Sequence, residues 1–353
     1  MHTFKIAVLV STSLLAITAA KQYDSWNVLS KWQVEIQEPI QVPPAGQKLV
    51  PDADIWDIDL WHAYNNSEII PALHDREKTV ICYFNLGAVQ PDDCDFQEWY
   101  DAKQWNGPWY SAANGGDKND RYCEKYENFT SSTIFDRMKT RLDKAAKIGC
   151  DGVDPDNIDL STINWGNGKE VTDDAIVEAL KQFAAYAHSL TTTNGNPLMF
   201  GQKNGPRLAK DLWQHLDFAV LESCHKSPSF CSSFQPYLDA NKPVIDIEYP
   251  KNLRNPKDKK NYCNLSRTNS GDDNDPICPK ISGTPLANMS RIIKLDFNDY
   301  GLNGCTQYCD RDSKVVITPT DDSGDNICAY DFKSECKTNK ELKDNCCCGP
   351  CPK

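Results

Sequence analysis

The sequence lacks a long hydrophobic run and is short of basic residues. Its longest N-terminal apolar stretch, Ile6–Ile17, is too short to cross a bilayer, and no later stretch reaches about 18 residues, so no membrane anchor is expected. Lysine and arginine number 38 against 50 acidic residues, for a net charge of −12. A nucleic-acid-binding protein needs a basic face, and this balance argues against one. No internal repeat of 20–50 residues is visible, as a repeat protein would require.

The first residues have the features of a secretory signal. Lys5 supplies a positive charge, an apolar run follows, and Thr18–Ala20 offers small residues for cleavage. We therefore expect a signal peptide over residues 1–20 and a secreted, extracellular protein. Sixteen cysteines, an even number, follow this segment and favour disulfides in an exported chain. Four N-x-S/T sequons, at Asn65, Asn128, Asn264 and Asn288, predict a glycoprotein.

The cysteines are concentrated near the C-terminus. Ten of them lie within Cys263–Cys351, and the chain becomes rich in glycine, aspartate and cysteine after Phe297. We therefore predict a disulfide-stapled tail over residues 301–353. A zinc site built from these cysteines is the alternative, but an oxidising compartment disfavours it, so neither a metal nor another cofactor is expected.

Short apolar runs alternate with helical patterns along residues 21–300. The predicted strands are Trp32–Ile36, Ile55–Leu60, Thr79–Leu86, Gly152–Pro155, Leu198–Gly201, Asp217–Leu221, Pro243–Ile247 and Arg291–Leu295. Apolar residues at spacings of three and four predict helices after Ser131, Thr172 and Pro206. Eight strands that alternate with helices indicate an α/β fold, a (β/α)8 TIM-type barrel.

Polar residues follow several of these strands, at the edge where the active site of such a barrel lies. They are Asp154, Asp156 and Asn157 after strand four, Lys203 and Asn204 after strand five, Glu222 after strand six, and Glu248 after strand seven. Any one of these acids could form only a salt bridge or a loop cap. Together they favour glycosidic hydrolysis, in which one carboxylate stays ionised and a second carboxyl donates a proton.

Five segments also resemble the motifs of a known family, in the same order. They are Val80–Gly87, Gly149–Asp159, Gly201–Asn204, Leu216–Cys224 and Lys242–Tyr249, with Trp32–Val34 matching an opening strand. The second segment is the most specific. The family is glycoside hydrolase family 114, the endo-α-1,4-polygalactosaminidases, and the resemblance covers about two-thirds of the mature chain.

The resemblance implies a secreted enzyme that cleaves α-1,4-linked, galactosamine-containing polysaccharide by carboxylate acid/base chemistry. The catalytic aspartate of the family falls on Asp156 and its catalytic glutamate on Glu222, which we interpret as the ionised group and the proton donor. The residues expected to bind substrate are Tyr83, Asp154, Asn157, Lys203, Asn204 and Glu248. The expected partner is a cationic polysaccharide, and the protein is expected to be a monomer.

Two departures from the family pattern leave a second interpretation open. Gln90 stands where the family usually has glutamate, and Leu221 where asparagine is common before the catalytic glutamate. A barrel with these changes could be a non-catalytic carbohydrate-binding protein. The family also has a similarly spaced cysteine pair after strand six, which implies a disulfide between Cys224 and Cys231. An aromatic cluster around Trp99 and Trp105 is predicted to line a sugar-binding wall.

Overall fold

The structure is a computed structural model, and it describes about three-fifths of the chain. The described residues are 30–90, 93–96, 98–99, 106–108, 124–165, 170–224, 227–249, 271–272, 275–276, 288–294, 302, 304–308 and 315–321. The predicted signal peptide and most of the predicted tail, with its late cysteines, lie outside these residues.

The described residues form fourteen strands. In chain order they are β1 (Trp32–Glu35), β2 (Ile55–Asp59), β3 (Thr79–Asn85), β4 (Ala88–Val89), β5 (Lys125–Tyr126), β6 (Gly152–Asp156), β7 (Met199–Lys203), β8 (Phe218–Glu222), β9 (Val244–Glu248), β10 (Gly271–Asp272), β11 (Asp275–Pro276), β12 (Ser290–Lys294), β13 (Cys305–Tyr308) and β14 (Val315–Ile317). The eight predicted strands are all present, as β1, β2, β3, β6, β7, β8, β9 and β12.

Seven α-helices accompany these strands in the same part of the chain. They are α1 (Leu60–Asn65), α2 (Ile69–His74), α3 (Ser132–Ile148), α4 (Asp173–Ser189), α5 (Ala209–Leu212), α6 (Pro228–Ser232) and α7 (Gln235–Asp239), with a 3₁₀ turn at Leu160–Thr162. The two long helices start where the sequence indicates. The Thr172 hydroxyl caps α4 by accepting from the amide of Ala175, and Gly149 ends α3 with a φ of 103°. None of the described helices has the length and hydropathy needed to cross a membrane.

The main sheet has ten strands in the order β1-β2-β3-β6-β7-β8-β9-β12-β13-β14, and the first eight are parallel. This curved, mostly parallel sheet with helices confirms the predicted (β/α)8 class. Two further antiparallel pairs, β4 with β5 and β10 with β11, stand apart from it.

Alternate residues of the parallel strands pack on opposite faces, and both faces are buried. Ile55, Ile81 and Met199 pack in the cluster inside the barrel, whereas Trp56 and Val80 pack in the outer cluster under the helices. Because both faces are covered, the strands have nearly continuous apolar sequences, which explains why simple apolar runs locate them.

The two ends of the parallel run, β1 and β12, lie side by side and are joined by side-chain hydrogen bonds. The Ser290 hydroxyl donates to the carbonyl of Ser30 at 2.6 Å, and the Lys294 ammonium donates to the carbonyl of Val34. The hairpin β13–β14 pairs antiparallel with β12 beyond residue 300. Its Thr306 hydroxyl donates to the Gln33 side chain of β1 at 2.8 Å, so that the hairpin covers the closing edge.

Candidate active site

The Lys203 ammonium lies at the centre of an acidic cluster at the carboxyl ends of the barrel strands. Its Nζ atom is 3.4 Å from Oδ1 of Asp156, 3.6 Å from Oε2 of Glu222 and 3.8 Å from Oδ2 of Asp154. The lysine side chain is only 2% exposed, whereas those of Asp156 and Glu222 are 23% and 22% exposed. The two acids therefore reach solvent, and the lysine holds them from below.

Asp156 is fixed by donors on both carboxyl oxygens. The Tyr83 hydroxyl, from the neighbouring strand β3, donates to Oδ2 at 2.7 Å. The amide of Asn157 donates to Oδ1 at 2.9 Å, and the side-chain amide of Asn157 donates to Oδ1 of Asn85 at 3.1 Å. The carboxylate is thus held as an acceptor toward the mouth of the barrel.

Glu222 is fixed in the same way by two different residues. The Tyr249 hydroxyl donates to Oε1 at 2.7 Å, and the Asn204 side-chain amide donates to Oε2 at 3.1 Å. The carbonyl oxygen of that Asn204 side chain accepts from the amide of Glu222 at 2.9 Å. Sequence reasoning named Asn204 but missed Tyr249, although Tyr249 closes the last matched motif.

The backbone turns sharply directly after three of the strand ends. Asn157, Asn204 and Ser223 have φ values of 56°, 44° and 55°, in the left-handed region. Asparagine tolerates this region better than most residues other than glycine. The polar residues that end β6 and β7 therefore serve two purposes, since they reverse the chain and supply side chains to the site.

The charges around Asp156 lower its pKa, whereas the pKa values of its neighbours Lys203 and Tyr83 are raised. Burial acts to raise the pKa of Asp156, but the Lys203 charge, the Tyr83 hydroxyl and the Asn157 amide outweigh it and lower that pKa below its usual value. Burial acts to lower the pKa of Lys203, but the surrounding carboxylates raise it well above its usual value. Burial and the nearby Asp156 raise the pKa of Tyr83, so Tyr83 stays a hydrogen-bond donor. Asp156 is thus ionised at neutral pH.

Asp154 and Glu248 were predicted to bind substrate, but the structure buries both almost completely. Asp154 is 1% exposed inside the barrel and contacts Lys203. Glu248 is also 1% exposed, and the alternation of β9 places it on the face opposite to Ile247 and Tyr249, which pack inside the barrel. Contact of Asp154 or Glu248 with substrate stays a prediction, as it does for Tyr83, Asn157, Lys203 and Asn204, which border the two acids.

A second layer of polar contacts supports the β3 side of the site. The Asn85 side-chain amide donates to Oε1 of Glu124 at 3.2 Å, and Arg141 of α3 donates to the Asn85 carbonyl at 2.8 Å. Arg141 also donates to Asp93 and Asp95, at 2.7–2.9 Å. In the sequence, Arg141 is a charged residue among the apolar positions of a predicted helix face. A charge at such a position is the signal by which it could have been found.

Among the described hydrogen bonds of Asp156 and Glu222, none involves a side chain of the two departures from the family pattern. Leu221 is fully buried in the outer cluster, on the face of β8 opposite to Glu222. The backbone amide of Gln90 donates to Oδ2 of Asp93 at 3.0 Å. Trp99 does not line an exposed wall, because it is 1% exposed and packs in the core. Trp105 lies outside the described residues.

Two disulfides are described, and one lies beside the site. Cys224 and Cys231 are bonded, as the family resemblance implies, and they brace the chain directly after Glu222. Cys82 and Cys150 are bonded between β3 and the start of β6. In the described part of the chain, the three potential metal ligands that lie close together are Cys224, Cys231 and Asp246, and both of these sulfurs are in the disulfide.

The sequence model of glycoside-hydrolase family GH114 matches residues 16–314. The chain belongs to family GH114. It is therefore a glycoside hydrolase. Comparison with curated proteins gave no match.

Comparison with solved structures matched Ega3 and the glycoside hydrolase domain of PelA. Ega3 of Aspergillus fumigatus, crystallised in complex with galactosamine, is 27% identical, with a TM-score of 0.60 over 83% of this chain and 99% of Ega3. The glycoside hydrolase domain of PelA from Pseudomonas aeruginosa is 14% identical, with a TM-score of 0.45 over 63% of this chain and 85% of that domain.

Proposed function

We propose that this GH114 enzyme is secreted and cleaves α-1,4-linked, galactosamine-containing polysaccharide internally, with Asp156 and Glu222 as its two catalytic carboxyl groups. The observation that carries the proposal is the shared lysine. Lys203 lies within 3.6 Å of one oxygen of each acid, so both acids border a common space at the barrel mouth.

Asp156 suits the role of the ionised group. Its pKa is lowered, and its oxygens already accept from Tyr83 and Asn157, so that it can attack or stabilise an oxocarbenium-like centre. Glu222 is left as the proton donor because Asp156 is the acid that is held ionised. Tyr249 and Asn204 orient its carboxyl group toward the same space.

The spacing of the two acids allows a substrate bond to lie between them. Since each contacts Lys203, their nearest oxygens are within about 7 Å of one another, a range that includes the separations of retaining and inverting glycosidases. The anomer released first, read by proton NMR, assigns the enzyme to one class.

The substrate class rests on family membership and charge. Ega3 was crystallised with galactosamine, and the net charge of −12 here would attract a polymer that carries ammonium groups. The acidic mouth formed by Asp156 and Glu222 would add to this attraction at short range. Secretion is supported by the described disulfides, which are typical of exported proteins.

The experiment that tests this function measures new reducing ends from partially deacetylated α-1,4-galactosaminogalactan, with a neutral galactan and an anionic pectin as comparisons. We expect release from the first polymer alone, with short oligomers as early products. Binding of this polymer without release would instead support the alternative of a carbohydrate-binding barrel. Because Leu221 faces away from the site, that departure gives the alternative little support.

A further inference from the structure

Asp57 is a fully buried carboxyl group in the middle of β2. It lies two residues after Ile55, which packs inside the barrel, so the side chains of both are on the same face of the strand. Asp57 is 0% exposed. Among the described residues, neither of its carboxyl oxygens meets a hydrogen-bond donor, and the same holds for Oδ1 of Asp154. An ionised carboxylate left in this state would be very unfavourable.

The two carboxyl groups are partners of one another. Asp57 and Asp154 lie within hydrogen-bonding reach across the barrel interior. Two carboxylates cannot donate to each other, so the contact becomes a hydrogen bond only when one of them carries a proton.

The surrounding charges do not remove the need for this proton. The cations that act on Asp57 are Lys203 of β7 and Lys294 of β12. Lys294 donates to Val34 and Thr306, and Lys203 is shared with Asp156 and Glu222. The residues beside Asp57 on β1 and β3 are the apolar Val34 and Ile81.

We propose that Asp57 and Asp154 share one proton beneath Lys203, and that Asp57 is thereby a positioning residue for the catalytic acids. With one proton, the pair keeps a single negative charge against the lysine. That charge holds the ammonium low in the barrel and limits how strongly it neutralises Asp156. A second proton would remove the charge, and Lys203 would then be balanced by Asp156 and Glu222 alone.

The ionisation of the pair agrees with this arrangement. Burial, and then the facing carboxylate of Asp154, raise the pKa of Asp57 well above its usual value. Burial raises the pKa of Asp154 to about 7, with Asp156 and Glu222 adding to the effect and Lys203 opposing it. Above about pH 7 the folded pair therefore keeps one proton, and below about pH 7 a second one binds, whereas both groups are deprotonated in the unfolded chain above about pH 4.

The pair is tested by thermal unfolding of the wild type and of Asp57→Asn across pH 4.5–8. Because the wild-type folded state holds an excess proton, its stability falls as the pH rises through this range. The variant lacks that proton. The melting temperature of the variant minus that of the wild type should therefore increase by roughly 2 °C or more for each unit of rising pH. A difference that is constant with pH would overturn the proposal.

Glu35→Gln is the matched control for this measurement. Glu35 of β1 is 1% exposed, and burial raises its pKa to about 8 against the opposing charge of Lys294. The control should show the same trend in melting temperature, which proves that the method detects a buried proton. Should Asp57→Asn fail to fold, Asp154→Asn removes the other half of the pair, and a constant difference there is equally decisive.

The effect on the catalytic acids, which rests on the proposed function, is tested by the pH profile of kcat/KM. The amide of an asparagine at position 57 would donate to Asp154 at every pH, so Asp154 should ionise at lower pH. The lasting negative charge of Asp154 would then hold Lys203 away from Asp156, so we expect the acid limb of the profile to move to higher pH in Asp57→Asn and to stay in place in Glu35→Gln. An unmoved limb in Asp57→Asn would refute the link to the catalytic acids. If the wild type fails to hydrolyse the polymer, the proposed function fails, and the unfolding measurement still decides the proton pair.

Discussion

The hydroxyl of Tyr83 lies 2.7 Å from Oδ2 of Asp156 and donates a hydrogen bond to it across two adjacent parallel strands. The same ring lies 5.2 Å from the Lys203 ammonium, which contacts the other oxygen of Asp156. Tyr83 therefore supports the ionised state of Asp156 directly, and it orients the lysine that does so from below.

Replacing Tyr83 with phenylalanine should lower kcat and change its pH dependence. Loss of a hydrogen bond to a charged group predicts a fall of about 10- to 100-fold. The lowered pKa of Asp156 means that its ionised form is lost as the pH falls through that pKa. Without the hydroxyl the pKa rises, so the acid limb of kcat should move to higher pH. Steady-state rates on the polymer from pH 3 to 8 test this, and an unshifted limb would contradict it.

Replacing Lys203 with methionine should damage both activity and stability. The change leaves Asp154, Asp156 and Glu222 close together without their shared cation. We expect the free energy of unfolding to fall by about 3–5 kcal/mol, the usual effect of leaving buried charges unpaired. Urea denaturation measures this. Lys210→Met is the control, since the Lys210 side chain is 78% exposed, and equal effects of the two changes would contradict the assignment.

Arg141 should be important for stability rather than for chemistry. Its side chain is 0% exposed, and its partners Asp93 and Asp95 are 2% and 4% exposed. Arg141→Met should lower the free energy of unfolding by about 3–5 kcal/mol. The exposed pair of Arg207 and Asp173 provides the control, because Arg207→Met should change it by no more than about 1 kcal/mol. Denaturation of both variants under the same conditions makes the comparison, and similar losses would be inconsistent with this role.

The sequence was sufficient to predict the barrel and most of the site. The parallel strands are buried on both faces, so each is an apolar run that ends in the polar residues of the mouth. Asp156, Lys203 and Glu222 were found for this reason. The hairpin β13–β14 was not, because Cys305–Tyr308 has no apolar run and the short run Val315–Ile317 lies in the segment that we assigned to the tail.

Asp57 and Tyr249 show what strand-end reasoning cannot find. Asp57 lies in mid-strand between Trp56 and Ile58, and its partner Asp154 is nearly a hundred residues away in sequence. Tyr249 follows a buried strand and resembles one more apolar core residue until its hydroxyl is seen at Glu222. An acid inside a continuous apolar run is a usable signal, but its partner becomes known only when the strands are assembled.

Salt should distinguish a cationic substrate from a neutral one. Long-range attraction between the acidic protein and an ammonium-bearing polymer weakens as the Debye length falls from about 10 Å at 0.1 M to about 3 Å at 1 M. We expect kcat/KM on the partly deacetylated polymer to fall with added salt, mainly through KM. A fully N-acetylated oligomer should change little. Equal responses of the two substrates would show that the net charge of −12 has no part in recognition.

The central claim is that Asp156 and Glu222 together carry out hydrolysis, and reducing-end release by Asp156→Asn and Glu222→Gln tests it most directly. Both replacements keep the shape of the side chain and remove its acid–base function. Binding of the polymer is measured in parallel, so that loss of turnover is separated from loss of affinity. The account predicts that each variant loses at least about 10²-fold in kcat while it still binds the polymer. Near-normal turnover in both variants would contradict it.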